Sequence, residues 1–156
     1  MKIYLGADHG GFALKEEFKK NLTQAHPELS FEDCGALVYA ENDDYPLIAF
    51  NVAQKVAAQK EPEQSLGILF CRSGSGMVIA ANKVKGIRAV ELYSEAIASH
   101  AKSHNQANVI AMAGDYLSSE KIMRLFEIFL STPVDQAQRH RRRLAEISNY
   151  ENSHSI

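Results

Sequence analysis

Five short apolar runs alternate along this chain with segments whose apolar residues recur every three or four positions. That alternation constrains the fold more than any other feature. A strand that is apolar throughout needs cover on both faces, and helical crossovers between parallel strands supply it. Ile3 to Ala7 is the first run and ends in Asp8-His9-Gly10-Gly11. From Phe12 the period changes: Leu14, Phe18 and Leu22 share one helical face, while Lys15, Glu16, Glu17, Lys19 and Lys20 fill the rest. Leu29 to Cys34 alternates weakly and reads as a second strand, stopped by Gly35. A loop over 36–46 leads to Pro46, which suits the first turn of a helix. Ile48, Val52 and Val56 mark the buried face of that helix. Gln59 to Gln64, with Pro62, reads as a polar surface connection.

Leu66 to Phe70 is a nearly continuous apolar strand and runs into Cys71-Arg72-Ser73-Gly74-Ser75-Gly76. A helix is expected from Met77 to Lys83, a fourth strand over Ile87 to Leu92, and a helix capped by Ser94. Asn108 to Met112 is the fifth strand. Ile122, Leu125, Phe126 and Phe129 define another amphipathic helix, which Pro133 ends. A basic helix is expected from Asp135 to Ser148, followed by a flexible tail over 149–156. The predicted fold is one α/β domain over 1–148. It is a Rossmann-like three-layer sandwich with a five-stranded parallel sheet and helices on both faces.

Composition narrows the function. The chain has 156 residues, 46% of them hydrophobic, and 17 basic against 19 acidic side chains give a net charge of −2. Disorder is excluded by this balance. Non-specific nucleic-acid binding, which needs an excess of Lys and Arg, is disfavoured. No apolar run approaches the ~20 residues of a membrane span. Two cysteines, Cys34 and Cys71, make no disulfide framework, so a reducing, cytoplasmic setting is expected.

In open parallel sheets, ligands bind beyond the carboxyl ends of the strands. The segment Cys71 to Gly76 lies at such an end and opens a helix. Its glycines admit a ligand to the backbone, and free amides can hold an anion or a developing oxyanion. The same field is expected to lower the Cys71 pKa and favour thiolate. Asp8 and His9 occupy a second strand tip, where they can meet a sugar hydroxyl or a phosphate. Arg139 and Arg143 are four residues apart on one helix face and make a phosphate clamp. His104, followed by Asn105, can act as a general acid or base. No Cys/His spacing indicates zinc. Cys34 reads as packing at a strand end.

Taken in order, Asp8-His9-Gly10-Gly11-Phe12, Asp44-Tyr45-Pro46, Cys71-x-Ser-Gly-Ser-Gly, Ala80-Ala81-Asn82-Lys83 with Gly86-Ile87-Arg88-Ala89, His104-Asn105-x-x-Asn108-Val109 and Arg139-His140-x-x-Arg143 resemble one family. It is the ribose-5-phosphate isomerase B and galactose-6-phosphate isomerase family, and the resemblance runs from Lys2 to about Ile147. It implies an aldose–ketose isomerase that needs no metal or organic cofactor. Carried over by position, Cys71 matches the catalytic base, since Met77 stands where some members place a glutamate. His104 matches the residue that helps open the furanose ring. Asp8, His9 and Asn105 match substrate contacts, and Ser73, Gly74, Ser75 and Gly76 match the loop that cradles the reacting oxygens. Arg139 and Arg143, with His9, match the phosphate-binding groups. The resemblance also implies a homodimer or tetramer with active sites shared between subunits. Relatives often carry an arginine where Asp115 stands here, and Arg72 is the residue expected to supply compensating charge toward the substrate.

The expected reaction interconverts ribose 5-phosphate and ribulose 5-phosphate through a cis-enediolate. The rivals are isomerisation of a six-carbon sugar phosphate, a non-catalytic phosphosugar- or nucleotide-binding module, and a nucleic-acid binder using the arginine run. The near-neutral net charge sets the last of these aside; neither nucleic acid nor membrane is an expected partner.

Overall fold

A computed structural model of the chain describes residues 1–61 and 64–154. Pro62, expected within a surface connection, and the last two residues of the expected tail lie outside the described residues. Among the described residues the chain forms five strands and six helices in the order β1 (Lys2–Ala7), α1 (Phe12–Ala25), β2 (Ser30–Asp33), α2 (Tyr45–Ala57), β3 (Ser65–Cys71), α3 (Ser75–Ala81), β4 (Ala89–Glu91), α4 (Glu95–Ser103), β5 (Val109–Ala113), α5 (Ser119–Ser131) and α6 (Gln138–Ser153). All strand pairs are parallel, and the sheet order is β2-β1-β3-β5-β4. From β1 the chain first turns outward to β2 and then inward to β3. The carboxyl ends of β1 and β3 therefore form a switch point, where a crevice opens.

Side-chain alternation builds two cores on this sheet. Ile3, Leu5, Ile68, Phe70, Ile110 and Met112 face one way and pack with Phe18, Leu22, Leu125, Phe126 and Phe129 from α1 and α5. Tyr4, Leu69, Cys71, Val109 and Ala111 face the other way, against Val52 and Val56 of α2 and Met77 and Ala81 of α3. Three layers result, as the sequence leads one to expect. On α5, Ser118 caps the first turn through the Lys121 amide, and Ile122, Leu125, Phe126 and Phe129 are all buried. Truncating Phe126, which packs edge-on against Phe18, to Ala would cost about 3–5 kcal/mol.

Several boundaries move, those of two helices most consequentially. α3 starts at Ser75 rather than Met77, so part of the glycine-rich segment is already helical. α6 starts at Gln138 and continues to Ser153, past the boundary expected at Ser148. Polar residues gave no reason to extend it, but the Glu151 carboxylate accepts a hydrogen bond from the Gly86 amide and ties this end to the domain. Of the described α6 residues, only His140 is buried, and Ile147 and Tyr150 are exposed.

Candidate active site

Three loops meet at the carboxyl edge of the sheet. The first is held by Asp8, whose Oδ1 accepts the Gly11 amide at 3.0 Å. Gly11 is obligatory for packing: a Cβ there would lie 2.3 Å from the Phe70 carbonyl group. That close approach sets Asp8 beside Cys71. Burial raises the Asp8 pKa, against the pull of the Gly11 amide. His9 is fixed by Asp43, whose Oδ1 accepts both the His9 amide at 2.9 Å and Nδ1 at 2.8 Å. A carboxylate only accepts, so Nδ1 carries the proton and Nε2 remains for a ligand.

Cys71 ends β3, and its Sγ accepts the Gly74 amide at 3.0 Å. Gly74 reaches this position with φ of +83°, a conformation that favours glycine. Contrary to the sequence expectation, the thiol lies above its ordinary pKa. Burial is the largest cause and Asp8 adds to it, while the Gly74, Ser73 and Met77 amides pull the other way. The helix start does act on the sulfur, but desolvation outweighs it. Cys34 differs in kind: half-buried, with its pKa pushed up to about 11 by burial, it donates to the Glu32 carbonyl.

Sequence reasoning missed two neighbours of this edge, Asp43 and Glu91, whereas Tyr45 stood in one of its motifs. Asp43 was hidden in an ordinary polar run, Asn42-Asp43-Asp44. The Tyr45 ring, at the start of α2, covers Gly76 so closely that a Cβ there would fall 2.9 Å from it. Glu91, at the end of β4, accepts the Ser75 hydroxyl at 3.1 Å. Only the chain crossover brings Glu91 beside residue 75. Asp115 also arrives here. Its amide donates to the Arg72 carbonyl at 3.0 Å, and its carboxylate stands 4.0 Å from the Arg72 guanidinium. Both side chains are exposed, so Arg72 is the charge opposite Asp115, while Arg142 faces Glu146.

The remaining candidates assemble elsewhere. α4 runs back from the carboxyl edge, so its C-cap, His104, lies near the amino-terminal edge. There the Asn105 and Gln106 carbonyls accept from the Arg88 guanidinium, ahead of β4. From Val109, at that edge, to Ala113, paired with Cys71, β5 covers about 13 Å. His104 stacks on His140 at 4.2 Å and on His100 at 4.5 Å. His104, Asn105, His140, Arg143, Leu144 and Ile147 line one cleft of about 300 Å³. Arg139 lies close by, 3.7 Å from Asp135. One chain thus holds two clusters: a nucleophile beside amides and carboxylates, and a histidine beside arginines. The first can take a proton from carbon and hold an oxyanion; the second can exchange a proton with oxygen and bind a dianion.

Residues 3–147 match the model of the Ribose/Galactose Isomerase family. Ribose-5-phosphate isomerase B of Mycobacterium tuberculosis is 40% identical over 154 residues, 99% of this chain and 92% of that protein. The structure of ribose-5-phosphate isomerase B from Mycoplasma genitalium, with bound ribulose-5-phosphate, superposes with a TM-score of 0.90 at 35% identity, covering 98% of this chain and 97% of that one. The type B ribose 5-phosphate isomerase of Trypanosoma cruzi gives 0.89 at 38% identity, covering 99% and 98%.

Proposed function

Because this chain belongs to the ribose/galactose isomerase family, we propose that it interconverts ribose 5-phosphate and ribulose 5-phosphate. The observation that carries the reading is Cys71 at the tip of β3, its sulfur held by the Gly74 amide inside the glycine-rich loop. As thiolate, Cys71 removes the proton from C2 of the open aldose and returns it to C1. The negative charge moves onto oxygen in the cis-enediolate, where the Ser73 to Gly76 amides stabilise it. Asp8 orients the sugar beside the sulfur. His104 opens the ring by giving a proton to the ring oxygen and taking one from the C1 hydroxyl, with Asn105 contacting the sugar. Arg139, Arg143 and His9 hold the phosphate, whose binding energy positions the reacting carbons. Arg72 offsets Asp115 near the incoming dianion. The reaction moves protons only and calls on no metal or organic cofactor.

Separation of the two clusters within one chain supports a homodimer or a larger assembly, in which the His104 end of one subunit completes the Cys71 end of another. Exposed Ile147 and Tyr150 on α6 supply apolar surface for such contact. Two free cysteines support a cytoplasmic setting; no described helix is long and apolar enough to cross a membrane.

A turnover panel of pentose and hexose phosphates tests this reading. Activity on ribose 5-phosphate, abolished by Cys71→Ala, is expected. Inactivity on every sugar phosphate overturns the reading, and full activity of Cys71→Ala overturns the base. A second reading, isomerisation of a six-carbon sugar phosphate, is favoured by a family description that includes galactose. Preference for a hexose 6-phosphate in the same panel would establish it. Asp115 motivates a third, a phosphosugar-binding module without turnover, which binding of ribose 5-phosphate by calorimetry without product would establish.

A further inference from the structure

Three ligand-type side chains, one of them some thirty residues before the other two, converge where α4, the α5–α6 connection and α6 meet. The Asp135 amide donates to the Ser103 carbonyl at 3.0 Å, which pins residue 135 beside the end of α4. Its Oδ1 is occupied by the Ala137 amide at 2.8 Å. Oδ2 is left facing His140 Nε2 at 3.4 Å and the Arg139 guanidinium at 3.7 Å. The His140 side chain is only 9% exposed, and its buried Nε2 makes no hydrogen bond among the described residues. A buried donor or acceptor left so has lost its water without a replacement, and sites of this kind call for a reason. One ligand atom from each of His104, Asp135 and His140 lies within 4.8 Å of the others.

We propose that His104, Asp135 and His140 form a binding site for a divalent transition-metal ion such as zinc, and that its occupancy switches catalysis off by capturing His104. Two imidazoles and one carboxylate suit zinc, copper or nickel rather than magnesium or calcium. A tetrahedral ion with ligands at about 2.0–2.2 Å draws such atoms inward, and three protein ligands leave a position open to the adjoining cleft. The half-exposed His104 ring turns out of its stack to reach the ion. The Ala137 amide orients the carboxylate from behind, as outer-shell partners of metal ligands do. Arg139 opposes a cation here, and Asp135 offsets it.

Metal binding does not depend on the isomerase reading, whereas inhibition rests on it. The test titrates metal-free full-length protein with zinc chloride by calorimetry, and with cobalt(II) by visible absorption, while ribose 5-phosphate turnover is followed in parallel. One ion per chain is expected, with a tetrahedral cobalt spectrum. Asp135→Asn and His140→Gln, each checked for folding by circular dichroism, should weaken binding at least about tenfold, as loss of a ligand does. Each should shift the zinc inhibition midpoint by the same factor, and Cys34→Ser should leave both unchanged. No binding below about 100 µM zinc, or binding unaltered in both ligand variants, overturns the site. Binding at the site without inhibition of an active enzyme overturns the capture of His104. Absence of turnover before any metal is added instead overturns the proposed function and leaves the site standing.

Discussion

The two clusters differ in what holds them. At the carboxyl edge, backbone dominates: amides of the glycine-rich loop face the Cys71 sulfur, and Gly11 lies against the Phe70 carbonyl with no room for a methyl group. At the far edge, side chains dominate. His100, His104 and His140 stack on one another, and α6 contributes no other buried residue. An edge built from strand tips is as rigid as the sheet, which suits a base and an oxyanion cradle. An edge built from helix ends can shift, which suits groups that grip a phosphate or seat against another subunit.

Cys71→Ala should produce the largest effect, lowering turnover by about 10³-fold, within the range for loss of a general base. Steady-state kinetics would show it, and a loss shared with His104→Ala alone would break the division of roles. Lys15 braces the rigid edge from behind. It is fully buried, and its ammonium donates to both Asp33 carboxylate oxygens at 2.6 Å and to the Ala36 carbonyl at 2.9 Å. Lys15→Met leaves Asp33 with Lys19 as its remaining ammonium partner, at 2.7 Å, and should cost about 2 kcal/mol in urea denaturation, the worth of hydrogen bonds to a charged group. Arg143→Ala, at the side-chain edge, should leave stability almost unchanged and lower kcat/KM about 10–100-fold, the worth of one charge-assisted contact. The raised Cys71 pKa predicts a pH effect with a definite sign. Below that pKa the thiol form prevails, so turnover should climb about tenfold per pH unit toward alkaline pH and level off only above the ordinary thiol range. A rate already flat at neutral pH would refute it. Asp43→Asn should be smallest, raising KM about fivefold, because the His9 amide retains an acceptor while the imidazole loses its charged partner.

Much of the fold was legible because buried parallel strands and amphipathic helices write their periods directly into the chain. Leu66 to Phe70 and the face of Ile122, Leu125, Phe126 and Phe129 landed where expected. The Ser94 and Pro46 positions did as well, since capping and proline geometry are local. Edges of elements slipped where polar residues carry no period, as at the end of α6. Of the candidate site, Asp8, His9, the glycine-rich loop and the arginine pair were visible through residue type and spacing. Asp43, Glu91 and the histidine stack were not, because each depends on a partner many residues away. The sign of the Cys71 shift was also out of reach. A sequence shows a helix start beside a thiol, but not how much water the fold removes from it.

The order of apolar runs and turns, then, determined on its own an α/β sandwich and the chemical types available at its strand tips, because those are local properties of short segments. Tertiary structure alone decided that Cys71 and His104 stand at opposite edges of one subunit. It also decided that Arg72 faces Asp115, and that a buried histidine nitrogen lies between an aspartate and a second histidine. The reason is the pairing of strands: parallel pairing of β4 with β5 returns α4 to the far edge, and insertion of β5 beside β3 sets Asp115 next to Arg72. Nothing within any single segment specifies that path.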